Sequence, residues 1–504
     1  MFVYGLQHVM SMYAGVVAVP LIIGTALGLP FGELAYLLTA ALLVSGLATL
    51  LQTLGVWKVG ARQPIVQGTS FAAVASMLAI GKAEGGGTAG LTAIFGAIII
   101  AGLVGFLLAP VFNRLLHLFP PVVTGTVITV IGVSLLPVAI RWAGGGQPSA
   151  ETFGDLSNIA LAAITLLIIL VIYRYLPGFL SRIAILAGLA LGTLVAIPFG
   201  KVDFSRIGES SWFAVSTPFH FGAPTFQIAA IVSMTIVMLV IMTETTADIL
   251  AIGEITKQPG GGKHQVIGGL RADTLSTAVS GGLLNGFPVS AFAQNVGLVA
   301  ITGIKSRFVV AVSGLILVFL GLIPKLGAVI ASIPLPVLGG AGLALFGTVA
   351  ASGIRALSRV DYDGTSNIII VAIAIAMGVL PIAVPTLYEK FPIWFQTIFD
   401  SGISAAAVTA ILLNLLFNGA GGLAREPEEA PLAAESPTPG VTPDYDVAGG
   451  IDGEQQRPAA GIDTDDQGSV YAKEYDRRHR AEHSTPEEAL DQEHEDTVAK
   501  RRDH

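Results

Sequence analysis

The chain contains no cysteine, which excludes disulfides, thiolate metal sites and a cysteine nucleophile. Charge is also scarce. Only 12% of the 504 residues are Asp, Glu, Lys or Arg, whereas soluble domains carry about 25%. None of the glycine clusters Gly85-Gly86-Gly87, Gly144-Gly145-Gly146 and Gly260-Gly261-Gly262 completes the glycine, lysine and Ser/Thr spacing of a phosphate-binding loop, since Lys263 after the third is followed by His264, so nothing points to transport driven by ATP. No His/Glu spacing suggests zinc, and no basic patch suggests nucleic acid, so neither a metal nor another cofactor is expected. What remains is apolar: 53% of the chain, with a mean hydropathy of +0.73. The fold class expected is an all-α polytopic membrane protein in a lipid bilayer.

Apolar runs of roughly 17 to 25 residues, the length needed to cross a bilayer, recur from Val9 to about Phe417. They read as fourteen spans, centred near residues 18, 44, 73, 100, 130, 167, 190, 240, 275, 296, 316, 345, 375 and 409. The stretch after Met1 has no basic n-region and reads as a first transmembrane helix rather than a cleavable signal. With the N-terminus inside, twelve Lys/Arg fall in cytoplasmic loops and six outside, so both termini are expected in the cytoplasm. The net charge of −8 is misleading: of 35 acidic residues, 21 lie between Arg425 and His504 with only 9 basic ones. Residues 1–420 therefore read as a transmembrane transporter domain, and 421–504 as a disordered acidic cytoplasmic tail.

A weak internal repeat relates Pro121-Val-Val-Thr-Gly125 to Pro336-Val-Leu-Gly-Gly340, and Ser70-Phe71-Ala72 to Ala291-Phe292-Ala293. A unit of seven spans, being odd, places the second copy upside down, the inverted-repeat architecture of many secondary transporters. Chance similarity between Pro/Gly-rich membrane segments is the bland alternative. The third and tenth spans, Gly68 to Gly81 and Phe287 to Gly303, have short apolar parts and open on Pro, Gly, Ser or Thr. Each is expected to be a short extended segment followed by a half-helix, the two meeting near Phe71 and Ala293. Such backbone is tolerated at membrane depth only where protein buries it or a cavity adjoins it.

The eighth span places Glu244 and Asp248 four residues apart, hence on one helix face about 6 Å from each other. Carboxylates at membrane depth mark substrate or ion paths by default, and a close pair is a natural place to exchange a proton. Their bland reading is a structural pairing with backbone or with Thr243, Thr245 or Thr246. Asp273 stands next to Arg271 at the start of the ninth span, where an interfacial ion pair or an N-cap competes with a coupling role. His8, at the opening of the first span, is either interfacial or functional. Phe71 can stack on a flat ligand or simply pack. Gln294 and Asn295 interrupt an apolar span, and amides there need either a neighbouring helix or a ligand. The helix break beside Gln294 favours the ligand.

Gln294-Asn295-Val-Gly297, followed by Thr302-Gly303, resembles the signature of the nucleobase–ascorbate transporter family of nucleobase:cation symporters. The dyad Gln7-His8, the Ser70-Phe71 pair and the Glu244-x-x-x-Asp248 spacing agree with it, and together they span residues 1 to about 420. The tail lies outside the resemblance. The resemblance implies two inverted seven-span repeats with short antiparallel strands in the broken spans. A core domain (spans 1–4 and 8–11) would move against a gate domain (spans 5–7 and 12–14), within a homodimer. It further implies that Glu244 and Gln294 grip a nucleobase, that Phe71, Ser70 and the backbone at Ala293 complete the pocket, and that Asp248, Asp273, Asn295 and His8 support geometry and proton coupling. Gly297, Thr302 and Gly303 belong to the motif. Gln rather than Glu at 294 resembles the bacterial xanthine/uric acid branch, which implies uptake of xanthine or uric acid across the cell membrane; the carboxylates at membrane depth make protons, rather than sodium, the expected coupling ion. Uracil or another nucleobase is the alternative substrate.

Two other classes are weighed against this. A sulfate-permease-like anion transporter shares the broken third and tenth spans, but Glu244 would repel its cargo. A membrane-embedded enzyme using Glu244 and Asp248 as acid and base would need a nucleophile or a metal cluster beside them, and the sequence offers neither.

Overall fold

The computed structural model describes residues 1–114, 118–257, 263–363 and 366–419. The acidic tail expected over 421–504 and the cluster Gly260-Gly261-Gly262 lie outside these residues. In chain order the helices are α1 (Phe2–Ala26), α2 (Phe31–Leu54), α3 (Val74–Ala83), α4 (Gly87–Leu108), α5 (Pro121–Ala143), α6 (Leu156–Tyr175), α7 (Phe179–Arg182), α8 (Ala184–Ala196) and α9 (Ile228–Thr256). They continue with α10 (Lys263–Val279), α11 (Ala293–Thr302), α12 (Arg307–Gly321), α13 (Pro324–Ala331), α14 (Leu335–Leu357), α15 (Asn367–Ala383), α16 (Ile393–Phe399) and α17 (Gly402–Asn418). Each of the fourteen span centres falls within a helical segment. Seven of these helices are long and apolar enough to cross a membrane among the described residues. Two further pairs are bent, by 80° between α12 and α13 and by 85° between α16 and α17. The 25 residues of α1 reach about 37 Å at 1.5 Å per residue, enough for a hydrocarbon core of about 30 Å.

Pro20, Pro137 and Pro381 lie inside helices, but other prolines stand where the missing N–H does no harm. Pro121 and Pro336 occupy the first turn of α5 and of α14, where backbone donors have no intrahelical acceptor in any case. These two helices, which carry the two copies of the sequence repeat, lie antiparallel. Glycine lets their backbones touch: a Cβ at Gly339, Gly132 or Gly353 would stand 2.2 Å from the amide nitrogen of Ala143, Ala350 or Thr129 respectively.

Strands β1 (Gln67–Thr69) and β2 (Val289–Ala291) pair antiparallel, with Gly68 opposite Ser290. Each runs into a short helix: β1 into a 3₁₀ turn at Phe71–Ala73 and then α3, β2 into α11. The pairing extends beyond the ladder, since Ser70 N–H donates to Pro288 O (2.8 Å) and Phe292 N–H to Val66 O (3.1 Å). Thr49 on α2 accepts from the Gln67 amide at 2.9 Å, and the Thr69 hydroxyl donates to Val16 O on α1 at 2.9 Å. Non-helical backbone at this depth is thus hydrogen-bonded into its neighbours, as an apolar surround requires. At Gly68 a Cβ would meet the Phe292 ring at 2.4 Å. Gly68→Ala is therefore expected to cost about 1–3 kcal/mol by overpacking, read as a lower thermal unfolding midpoint of the detergent-solubilised protein.

β2 is delivered by a tight reversal. α10 ends in a π-helical turn, Ser280–Leu284, followed by Asn285 in the left-handed conformation at φ 52°. The Asn285 amide then donates to Thr217 O at 2.7 Å, and its side-chain oxygen accepts from His220 N at 3.1 Å. Tyr36 on α2 accepts from Thr217 N at 2.8 Å, and the His220 ring stacks on Tyr36 while contacting Glu33 at 2.7 Å. The loop between α8 and α9 is in this way fastened over the entrance of α2 and the turn that feeds β2.

Candidate functional site

The polar residues singled out by sequence gather around the two broken segments and α9. Glu244 is half-buried and lines a partly open cavity of about 160 Å³ between α9, the start of α5 and the end of α14, lined on the far side by Phe119, Thr124, Val127, Ile128 and Ala356. An apolar cavity of about 150 Å³ admits benzene, so this one accommodates a small ring. Glu244 supplies its ionisable group. The threonines around it do not occupy the carboxylates. Thr243 and Thr246 donate to the carbonyls of Val240 and Met242 at 2.6 and 2.7 Å, and Thr245 is turned toward α10. Asp248, one turn further along α9, is buried.

Asp273 departs from the sequence expectation of an N-cap or an ion pair with Arg271. It is the eleventh residue of α10, wholly buried, and its carboxylate accepts from the Thr245 hydroxyl and, at 3.3 Å, from the Gln52 amide of α2. The helix starts earlier than the apolar pattern suggests, with Lys263, His264 and Gln265 in its first turn, and that shift carries Asp273 inward. Arg271 instead lies over the Phe106 ring at 5.8 Å. Gln52 also accepts from Ala61 N–H at 3.1 Å, while Thr245 accepts from Ala291 N–H of β2 at 3.3 Å. One buried carboxylate therefore joins α2, α9, α10 and β2. Sequence reasoning missed Gln52, although an amide inside an apolar run was the signal that marked Gln294 and Asn295.

Asn295 and His8 come together. The Asn295 amide donates to His8 Nδ1 at 3.0 Å and to His8 O at 3.2 Å, with both residues buried. This ties α11 to α1 and leaves Asn295 Oδ1 without a hydrogen-bond partner among the described residues. Ala293 and Gln294, in the first turn of α11, are exposed, and neither lines the cavity of Glu244. Phe71 is half-buried with its ring edge-on to Phe346 of α14, centroids 6.0 Å apart, and the buried Ser70 hydroxyl beside it has no partner among the described residues. Gly297 is buried within α11. Thr302 and Gly303 end that helix: the Thr302 hydroxyl donates to Leu298 O at 2.7 Å, and Gly303 takes the left-handed C-cap at φ 66°, a conformation that suits glycine best.

Apolar spans around two interrupted segments, with a carboxylate facing a small cavity, are the features of a multi-pass membrane protein with a ligand site, and the comparisons make its class a permease. The model of a permease family, Xan_ur_permease, matches residues 1–387. The chain is 43% identical over 421 residues to the Uric acid transporter UacT of Escherichia coli K12, covering 83% of this chain and 86% of that protein. It is 41% identical over 431 residues to the Xanthine permease of Bacillus subtilis 168, covering 86% and 97%. The chain belongs to this permease family, the nucleobase–ascorbate transporters. Its fold is similar to the transmembrane domain of the cyanobacterial bicarbonate transporter BicA, with a TM-score of 0.54 at 18% identity, covering 81% of this chain and 96% of that one. It is also similar to the structure of SLC26A9, with a TM-score of 0.55 at 12% identity, covering 82% of this chain and 64% of that one.

Proposed function

We propose that this permease takes up a purine nucleobase, xanthine or uric acid, by proton symport across the cell membrane. The observation that carries the proposal is the Glu244 carboxylate lining a ring-sized cavity between α9 and the α5–α14 pair. Xanthine and urate present N–H and C=O groups on one planar edge. A carboxylate accepts from such N–H groups, while the Gln294 amide both donates and accepts; in this reading the two share a mixed edge, which requires α11 to approach the cavity, because Gln294 is exposed and does not line it. Mismatched ligands are rejected because they leave buried polar groups unpaired. Phe71, Ser70 and the backbone at Ala293, which lie outside the present lining of that cavity, complete the binding site in this reading. Asp248, Asp273, Asn295 and His8 hold its geometry and the coupling proton.

The architecture proposed is fourteen spans in two inverted repeats, with both termini cytoplasmic, and a core (spans 1–4 and 8–11) rising and falling against a gate (spans 5–7 and 12–14) in a homodimer. Its support is the antiparallel placement of the repeat-related pairs, β1 with β2 and α5 with α14. The cavity lies by the first turns of α5 and the last turn of α14. In the proposed orientation that is the cytoplasmic end.

One proton moving inward across 100 mV contributes about 2.3 kcal/mol, which concentrates a neutral base roughly fiftyfold. Uptake of labelled xanthine into energised membrane vesicles is therefore expected to collapse when a protonophore is added. Uptake that continues unchanged would remove proton coupling from the proposal. A competition panel of purines and pyrimidines then ranks the bases. The likeness to BicA and SLC26A9 favours an anion carrier as the second reading. A cavity carboxylate with no ion pair among the described residues argues against it, and bicarbonate or sulfate uptake in the same vesicles decides between them.

A further inference from the structure

We propose that Thr124 is a specificity-determining residue, the polar contact that the α5–α14 side of the cavity makes with the far edge of the ring held by Glu244. The proposal rests on the nucleobase reading above for the identity of the ring. Three polar side chains line the cavity: Glu244 and Thr243 from α9, and Thr124 from α5. The Thr243 hydroxyl is committed to Val240 O at 2.6 Å. Thr124 is held far more loosely, 3.3 Å from Pro120 O and 3.5 Å from Pro121 O, the latter at the limit of a hydrogen bond. Its hydroxyl is thus free to turn to a ligand at little cost.

The local sequence explains the loose tether. Pro120 and Pro121 open α5, so Thr124 sits in the first turn, facing the Pro120 carbonyl, which already accepts the amides of Val123 and Thr124 at 2.9 and 3.0 Å. Phe119, Val127 and Ile128 give the rest of the wall no hydrogen-bonding capacity. A ring whose N–H edge meets Glu244 therefore has one side-chain donor available to a carbonyl or bare ring nitrogen on its opposite side. A heterocycle without an acceptor there gains nothing from this wall.

Thr124→Val preserves shape and removes the hydroxyl, whereas Thr124→Ser keeps it. In vesicle uptake the valine variant is expected to lose about fivefold to tenfold in apparent affinity for the preferred base. It should also narrow the gap to analogues lacking the far acceptor, while the serine variant stays near the parent. An affinity and rank order unchanged in Thr124→Val would overturn the proposal.

A second readout does not depend on transport. Because the natural chain has no cysteine, Thr124→Cys and, as a reference on the opposite wall, Ala247→Cys each carry a single thiol for maleimide labelling in membranes. Both are expected to be protected by xanthine or uric acid and not by bicarbonate. Protection of the Ala247 variant without protection of the Thr124 variant would overturn the role of Thr124. Protection of both by bicarbonate and by no purine would overturn the nucleobase reading, while keeping Thr124 in the wall of the site.

Discussion

Glu244→Gln is expected to abolish uptake, by at least a hundredfold, while the protein still inserts and folds. The amide has nearly the same volume as the carboxyl, and the group lies at the wall of a cavity, so no packing is lost. What changes is chemistry. A carboxylate accepts on both oxygens and can carry a proton, whereas an amide turns half of that capacity into donation. A ring N–H facing the new NH2 is left unpaired, and desolvated mismatches of this kind discriminate by factors of about 10⁴ to 10⁵. The check is uptake of labelled base beside an unchanged membrane yield and gel-filtration profile. Retained uptake would show that Glu244 neither binds the base nor couples the proton.

Asp273→Ala is expected to destabilise the whole transporter rather than to change its selectivity. Removing the carboxylate strands the Thr245 hydroxyl and the Gln52 amide in a wholly buried place, at about 1–3 kcal/mol for each unsatisfied group. The unfolding midpoint in detergent should drop clearly, and uptake should fall with the amount of folded protein. Adding Thr245→Val to Asp273→Ala removes the stranded hydroxyl but also the acceptor of Ala291 N–H, so the double variant is expected to lose less than the sum of the two single losses, without returning to the parent. A double variant less stable than the sum of its parts would contradict this account. Such a cycle also separates an architectural Asp273 from one that mainly carries protons, because a proton carrier gains nothing from Thr245→Val.

The sequence was most legible where composition acts directly. Uninterrupted apolar runs became helices, and Pro, Gly and Ser at Gly68–Ser70 and Phe287–Ser290 marked the places where helix gives way to extended chain. The pairing of Asn295 with His8 was half legible: both stood out as polar residues in apolar surroundings, but nothing in a linear pattern says that they face each other across 287 positions. Asp273 was misplaced because the start of α10 is polar, so hydropathy alone sets the boundary too late. Thr124 carried no signal at all. Threonine is common in membrane helices, where its hydroxyl usually folds back on the preceding turn. Only the cavity, and the looseness of its bonds, distinguishes it from Thr126 or Thr129, which bond their own helix at 2.6 and 2.8 Å.

The seam between α5 and α14 bears on how such a carrier can change its diet. Where a side chain would run into a neighbour's main chain, as at Gly132, Gly339 and Gly353, no compensating substitution elsewhere can make room, so drift there is penalised whatever the cargo. The cavity wall at Thr124 and Ala356 belongs to the same two helices but faces open space. Tolerance and constraint thus alternate along one helix, and a new ligand can be acquired through a single exchange at the wall while the scaffold that positions it stays untouched.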